Sequence, residues 1–278
     1  MMDRREKYTR FQCLHAREEA LVIPNPWDAG SARLLTSLGF EALATSSAGY
    51  AFSKGKRDSS ATLGREELLD NAAEIVAATH LPVSADLEAG FGSAPEICAE
   101  TIRLACDAGL VGGSIEDATG DPSTPIYDFS QAVERIQAAT EVARGSSFLL
   151  TARADNYLYG RPDLDDTIRR LQAFSAAGAD ILYAPGLPDL ESIRIVCAAV
   201  DKPVNVVMGL SGQTFSVAEL SAVGVRRISV GGSFARAAFG ALLRAAEEVR
   251  TQGTFGYAQE AIPEATLVKL LAADESKI

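Results

Sequence analysis

The chain is poor in the residues that most often announce a site. Its 278 residues include two histidines, one tryptophan and four cysteines. Cys13, Cys98, Cys106 and Cys197 form no C-x-x-C pair and no closely spaced framework, which excludes a redox dithiol and a small disulfide scaffold. With His15 and His80 as the whole histidine complement, a zinc site of Cys and His lacks ligands at workable spacing. No apolar run reaches the roughly 18 residues of a membrane span, and the first 20 residues are charged from the third onward. Neither a span nor a signal peptide is expected. Positive charge is scarce too: 26 Lys and Arg against 37 Asp and Glu give −11, and the basic clusters Met1–Arg10 and Lys54–Arg57 are short. Binding a polyanion needs clustered cations, so nucleic acid is not an expected partner. A reduced, cytoplasmic protein is the expectation.

What the sequence does have is a repeated alternation. A hydrophobic content of 47 % with 23 % charged residues is that of a globular chain. Eight short apolar runs are predicted as strands: Ala20–Pro24, Ala42–Ser46, Pro82–Glu88, Gly112–Asp117, Phe148–Ala154, Asp180–Pro185, Pro203–Val207 and Arg226–Val230. Helical patterns separate them, with start signals at Asp28, at Ser93 with Glu96, and at Ser216 with Glu219. Gly39, Gly109, Gly178 and Gly224 each stand where a helix would end. With no Pro/Gly/Ser-rich linker, this predicts one parallel (β/α)8 barrel over residues 1–278, with a doubly wound open sheet as the alternative. Residues 1–19 read as an N-terminal helical extension and residues 253–278 as an amphipathic C-terminal tail.

A barrel of this kind carries its chemistry at the C-terminal ends of its strands. Those ends present Ser46, Ser47 and Gly49, then Asp86 and Glu88, Glu116 and Asp117, Arg153 and Asp155, Tyr183, and Asn205. Asp86 and Glu88, two apart on one strand, are predicted to face the same side, with Glu116 opposite. Unpaired carboxylates so placed repel one another, and a cation resolves the conflict. The hard oxygen donors suit Mg2+, or Mn2+ in its place, with Asp86, Glu88 and Glu116 as ligands; salt bridges to rim arginines are the alternative. Arg153 offers a guanidinium fork for a substrate carboxylate, or a buried partner for Asp155 or Asp86. The stretch Thr45–Gly49 brings backbone amides close to a ligand. Metal, arginine and amides together suit a small carboxylic acid. Gly231-Gly232-Ser233 is either a phosphate cup or a tight turn.

Five segments, in order, carry a resemblance: Asn25-x-Trp27-Asp28, Thr45-Ser-Ser-Ala-Gly with Gly55-x-x-Asp58, Ala85-Asp86-x-Glu88-x-Gly-Phe-Gly92, Ser114-Ile-Glu116-Asp117 and Ala152-Arg153-x-Asp155. Over residues 20–240 the chain resembles the isocitrate lyase/phosphoenolpyruvate mutase superfamily. The resemblance implies a Mg2+-dependent barrel that makes or breaks C–C or C–P bonds in 2-oxo or 2-hydroxy acids through an enolate-like intermediate. It implies Asp86 as the direct metal ligand, with Asp58, Glu116 and Glu88 holding metal-bound waters. Ser46, Ser47, Gly49 and Arg153 would bind the substrate's carboxylate and oxo group. It also implies a homo-oligomer, a dimer or tetramer with the last helix exchanged between barrels.

The departures sit in the loop after the fourth strand. Lyases of the superfamily carry a cysteine there as proton donor, and mutases a Glu-Asp-Lys sequence; here the loop reads Ala118-Thr-Gly-Asp-Pro-Ser-Thr-Pro-Ile-Tyr-Asp128. C–C cleavage or decarboxylation of an oxaloacetate-like acid is therefore expected, with Asp58, Glu116 and Arg153 as catalytic residues. C–P hydrolysis or mutation of a phosphonopyruvate-like acid, and ligand binding without turnover, are the alternatives. Tyr127, Asp58 and Tyr183 are candidate proton donors, and Thr119, Ser123 and Thr124 candidate water-positioning groups.

Overall fold

A computed structural model describes residues 2–58, 62–210 and 212–272. The apolar runs become eight strands: β1 (Leu21–Ile23), β2 (Leu43–Ala44), β3 (Val83–Asp86), β4 (Gly112–Glu116), β5 (Leu149–Arg153), β6 (Ile181–Tyr183), β7 (Val204–Val207) and β8 (Arg227–Ser229). All neighbours pair in parallel, in the order β1-β8-β7-β6-β5-β4-β3-β2. β1 and β2 share no ladder. Across that seam the Ala44 amide donates to the Pro24 carbonyl at 3.0 Å and the Asn25 side-chain amide to the Thr45 carbonyl at 2.9 Å. The result is a nearly closed (β/α)8 barrel, not an open sheet.

Helices α1 (Arg4–His15), α2 (Ala29–Ser37), α3 (Ser47–Ser53), α4 (Arg65–Ala77), α5 (Pro95–Asp107) and α6 (Phe129–Gly145) belong to the first half. The second half carries α7 (Leu164–Ala177), α8 (Leu190–Ala199), α9 (Val217–Ala222), α10 (Ser233–Gln252) and α11 (Glu264–Ala272). The expected start signals hold at Asp28, whose carboxylate accepts from the Ser31 amide at 2.7 Å, and at Ser216 with Glu219, a reciprocal capping box. Ser93 differs. The helix begins one residue later, with Ala94 at the N-cap and Pro95 in the first turn, where a missing N–H costs nothing. The four helix-ending glycines all have left-handed backbone.

The N-terminal helix closes the barrel floor. Phe11 and Leu14 pack with Leu21, Ile23, Ala42, Ala44, Val111, Leu149 and Ile181, residues on or just before the strands. A Cβ on Gly112 would stand 2.9 Å from the Phe11 ring, so only glycine leaves room for this plug. On the outside, α10 is 20 residues long yet buries only Ala235 and leaves Leu242 and Leu243 exposed. α11 lies against α2, with Arg33 donating to the Leu271 carbonyl at 3.0 Å. Residues 273–278 of the expected tail lie outside the described residues. Among the described residues, no helix is long and apolar enough to cross a membrane.

Candidate active site

A cavity of about 1070 Å3 opens at the C-terminal ends of the strands. Ser46, Ser47, Asp58, Asp86, Glu88, Glu116, Arg153, Asp155 and Tyr183 all line it. Most of these residues close a strand or follow one directly, which is why strand-end reading finds them. Asp86, Glu116 and Arg153 are the last residues of β3, β4 and β5. Glu116 and Arg153 are also register partners.

Arg153 is the hub. Its Nη1 lies 2.9 Å from Glu116 and 3.5 Å from Asp86, while Nε and Nη2 donate to the two oxygens of Asp155 at 3.3 and 3.1 Å. The planar fork is thus filled by Asp155, the second of the two roles foreseen for it. Burial works against the guanidinium charge, but Asp155, Glu116 and Asp86 hold the group protonated, its pKa well above the usual value. A second network backs the first. Asp117 accepts from the Asp155 amide at 2.8 Å and from Arg170 at 3.1 Å, and Arg170 also reaches Asp166 at 2.8 Å. Burial, with Asp155 close by, pushes the Asp117 carboxyl up to about 6.

The other carboxylates lack such partners. Ser47 donates to Asp86 at 3.0 Å, and among the described residues neither Asp58 nor Glu88 forms an ion pair. Burial and the neighbouring Asp86 raise both, Glu88 to about 7. Glu116 is raised well above its ordinary range by burial, with Arg153 opposing. Four hard-oxygen groups on the cavity wall, two of them without a counter-charge, fit a divalent cation such as Mg2+ in donor chemistry. Among the described residues no three such side chains are already arranged to hold a metal, and Arg153 supplies the counter-charge to Asp86 and Glu116.

Glu88 reaches the cavity by a different route from the one its spacing suggests. β3 ends at Asp86, and Glu88 sits beyond it with φ +50, a left-handed backbone that costs a non-glycine residue about 1 kcal/mol. Its amide donates to Asp86 at 3.3 Å, and its carbonyl accepts from the Glu116 amide at 3.1 Å. A turn, not strand alternation, aims this side chain.

Two expected substrate contacts lie off the cavity wall. Asn205 is buried in the barrel interior, donating to Ser229 at 3.1 Å. Gly49 lies in α3, and its amide is taken by the Ser46 hydroxyl at 3.0 Å. Its Cβ would meet that of Trp27 at 3.0 Å, so it serves packing. Gly231 and Gly232 line the cavity and form the turn into α10, with the Gly231 amide held by Asn25 at 2.9 Å. The loop after β4 folds back on itself through a bridge between Ala118 and Ile126. Thr119, Ser123 and Thr124 are bound within it, around Asp121. Tyr127 stacks on Arg135 at 4.0 Å and is absent from the cavity lining, as are the four cysteines. Strand-end reading misses Tyr159 and Arg236, which line the cavity from the loop after β5 and the first turn of α10. No strand-end position marks them.

A barrel with an arginine ringed by carboxylates at its C-terminal mouth is the setting of a lyase or mutase of small acids, the class to which the relatives belong. The phosphoenolpyruvate phosphomutase family model matches residues 11–250, and the chain belongs to this family, within the isocitrate lyase/phosphoenolpyruvate mutase superfamily. A crystal structure from Burkholderia cenocepacia J2315 is 58 % identical, covering 97 % of this chain and 96 % of that one, with a TM-score of 0.94. The 2-methylisocitrate lyase of Shewanella oneidensis is 31 % identical over 88 % of this chain and 85 % of its own length. The oxaloacetate decarboxylase of Chromohalobacter salexigens is 28 % identical over 78 % of this chain and 76 % of its own length.

Proposed function

We propose that the protein cleaves a C–C bond, by decarboxylation or a retro-aldol-type step, in a small 2-oxo dicarboxylic acid resembling oxaloacetate. The observation that carries this reading is the set Asp58, Asp86, Glu88 and Glu116 around Arg153 on the cavity wall. One relative is named for oxaloacetate decarboxylation, a reaction that needs an electron sink at a 2-oxo group, and another for C–C cleavage of a small carboxylic acid, 2-methylisocitrate. A bound Mg2+, or Mn2+, supplies that sink by Lewis-acid polarisation of the oxo oxygen.

The chain's own residues do the rest. Asp86, Glu88 and Glu116 would hold the cation, with Asp58 beside them. Arg153 turns Nη1 toward the same carboxylates and the cavity, placing positive charge where a substrate carboxylate and a developing enolate oxygen would lie. Ser46 and Ser47 add hydroxyls from the chain that follows β2, that of Ser47 bonded to Asp86. Because Asp155 holds the guanidinium in both directions, its orientation is fixed before substrate arrives. The exposed Leu242 and Leu243 of α10 support assembly into a homo-oligomer, a dimer or tetramer.

A panel of 2-oxo dicarboxylic acids followed by proton NMR, with and without Mg2+, tests the reading. Cation-dependent formation of a shortened 2-oxo acid is expected. Thermal stabilisation by the panel without any product would overturn turnover in favour of binding alone.

A further inference from the structure

Breaking the bond leaves a carbon that must gain a proton, and the superfamily's loop cysteine is missing here. The candidates narrow by position. The cysteines and Tyr127 are off the cavity lining, and the loop hydroxyls of Thr119, Ser123 and Thr124 are engaged within their own loop. Asp58 stands in the carboxylate set, where a bound cation would hold it ionised. Two tyrosines remain on the cavity wall, Tyr159 and Tyr183.

We propose that Tyr183 is the proton donor, its hydroxyl delivering a proton to the carbon released by C–C cleavage. The inference rests on the reading of the site given above. Tyr183 is the last residue of β6 and the register partner of Arg153, whose guanidinium lies 5.1 Å from its ring. Among the described residues its hydroxyl has no hydrogen-bond partner, so it is free to meet a ligand. Two strands further on the other side, beyond Asn205, lies Arg227 of β8, buried, with Nη1 donating to Thr151 at 3.0 Å and no carboxylate in ion-pair contact among the described residues. Burial disfavours a phenolate at Tyr183, and Asp155 and Asp86 add to that, while the guanidinium groups of Arg153 and Arg227 act in its favour. At Tyr159 burial, Glu116, Asp155 and Glu88 disfavour the phenolate, with Arg153 opposing. Position separates the two: Tyr183 ends a strand beside Arg153 at the cavity wall, whereas Tyr159 stands 43 % exposed in the loop after β5, open to water.

The step balances. As the C3–C4 bond of an oxaloacetate-like acid breaks, its electron pair becomes the C2=C3 double bond of the enolate, and C4 leaves as carbon dioxide. The enolate collapses to the 2-oxo group while C3 takes the Tyr183 proton. Water then returns a proton to the phenolate and leaves as hydroxide.

The test is Tyr183→Phe, which keeps the ring over Arg153 and removes only the hydroxyl, beside Tyr159→Phe. Each is assayed with oxaloacetate and with its 3-methyl derivative in rapid turnover in D2O, the 2-oxobutanoate formed being reduced at once to fix its C3 configuration. Tyr183→Phe is expected to lower kcat by about 100-fold or more with KM little changed, and to deliver deuterium to both faces of C3. Wild type and Tyr159→Phe are expected to deuterate one face. A Tyr183→Phe enzyme of near wild-type kcat that still deuterates one face would overturn the assignment and leave the C–C cleavage reading intact. So would loss of facial selectivity confined to Tyr159→Phe. A wild-type protein that releases no product from either acid would overturn both.

Discussion

Arg153 and Asp155 lie two residues apart and bind each other through two hydrogen bonds, Nε to Oδ1 at 3.3 Å and Nη2 to Oδ2 at 3.1 Å. The pair turns the remaining guanidinium nitrogen toward Glu116 and Asp86, and so toward the cavity.

Arg153→Lys should therefore fail although the charge is kept. A lysine is a point charge without a fork, and it cannot hold Asp155 and face the cavity together. A fall in kcat/KM of about 100-fold or more is expected from steady-state kinetics. Arg153→Ala leaves Glu116 and Asp155 buried without their cation and should cost about 3–5 kcal/mol in urea unfolding.

Removal of the cation gives a separate check. Treatment with a chelator should abolish turnover, and added Mg2+ should restore it. Glu88→Gln keeps the shape of the side chain and removes a ligand charge, so calorimetry should show Mg2+ affinity lowered by about tenfold or more. An unchanged affinity would remove Glu88 from the metal set.

His15 sets a pH dependence far from the site. It is buried under the barrel floor, bonded through Nδ1 to the Phe11 carbonyl at 2.8 Å, and burial together with Arg227 lowers its pKa from 6.5 to about 4. Between those values the unfolded chain binds a proton that the folded chain refuses. Its contribution to stability is thus complete above pH 6.5 and is lost as pH falls toward 4. Urea midpoints at pH 7 and pH 4.5 should show His15→Gln losing less stability than wild type across this window, by about 2–3 kcal/mol.

The outer face of α10 can be tested through mass. Leu242→Glu with Leu243→Glu places two charges on exposed leucines, so monomer stability should change by no more than about 0.5 kcal/mol. Light scattering should show an oligomer for wild type and a smaller species for the double variant.

Periodicity and helix-end chemistry made the fold legible. Eight apolar runs separated by amphipathic segments and closed by Gly39, Gly109, Gly178 and Gly224 leave few topologies besides a barrel, and each strand lies within its run. Strand ends then delivered Asp86, Glu116 and Arg153. Legibility failed where the backbone left regular geometry. Glu88 is aimed by a left-handed residue that no alternation rule describes. Ser93 looks like a cap, but Pro95 starts the helix one residue on. Asn205 has the inward parity of a ligand, yet its depth in the barrel depends on stagger between strands, which sequence spacing does not encode. Arg236 and Tyr159 come from a helix turn and a loop, whose approach to the cavity is a tertiary fact.

The unlaced seam between β1 and β2 has a mechanical meaning. A hoop with one missing ladder would part there first, and the side chain of Asn25 stands across the gap as a clasp. Its amide nitrogen holds Thr45, while its oxygen takes the amides of Val230 and Gly231 at 2.8 and 2.9 Å. Thr45 precedes the serines of one cavity wall, and Gly231 begins the glycine turn of another. One asparagine thus sets the gauge between two walls that lie far apart in the chain, and its bond to Thr45, beside that of Ala44 to Pro24, also bridges the seam of the hoop.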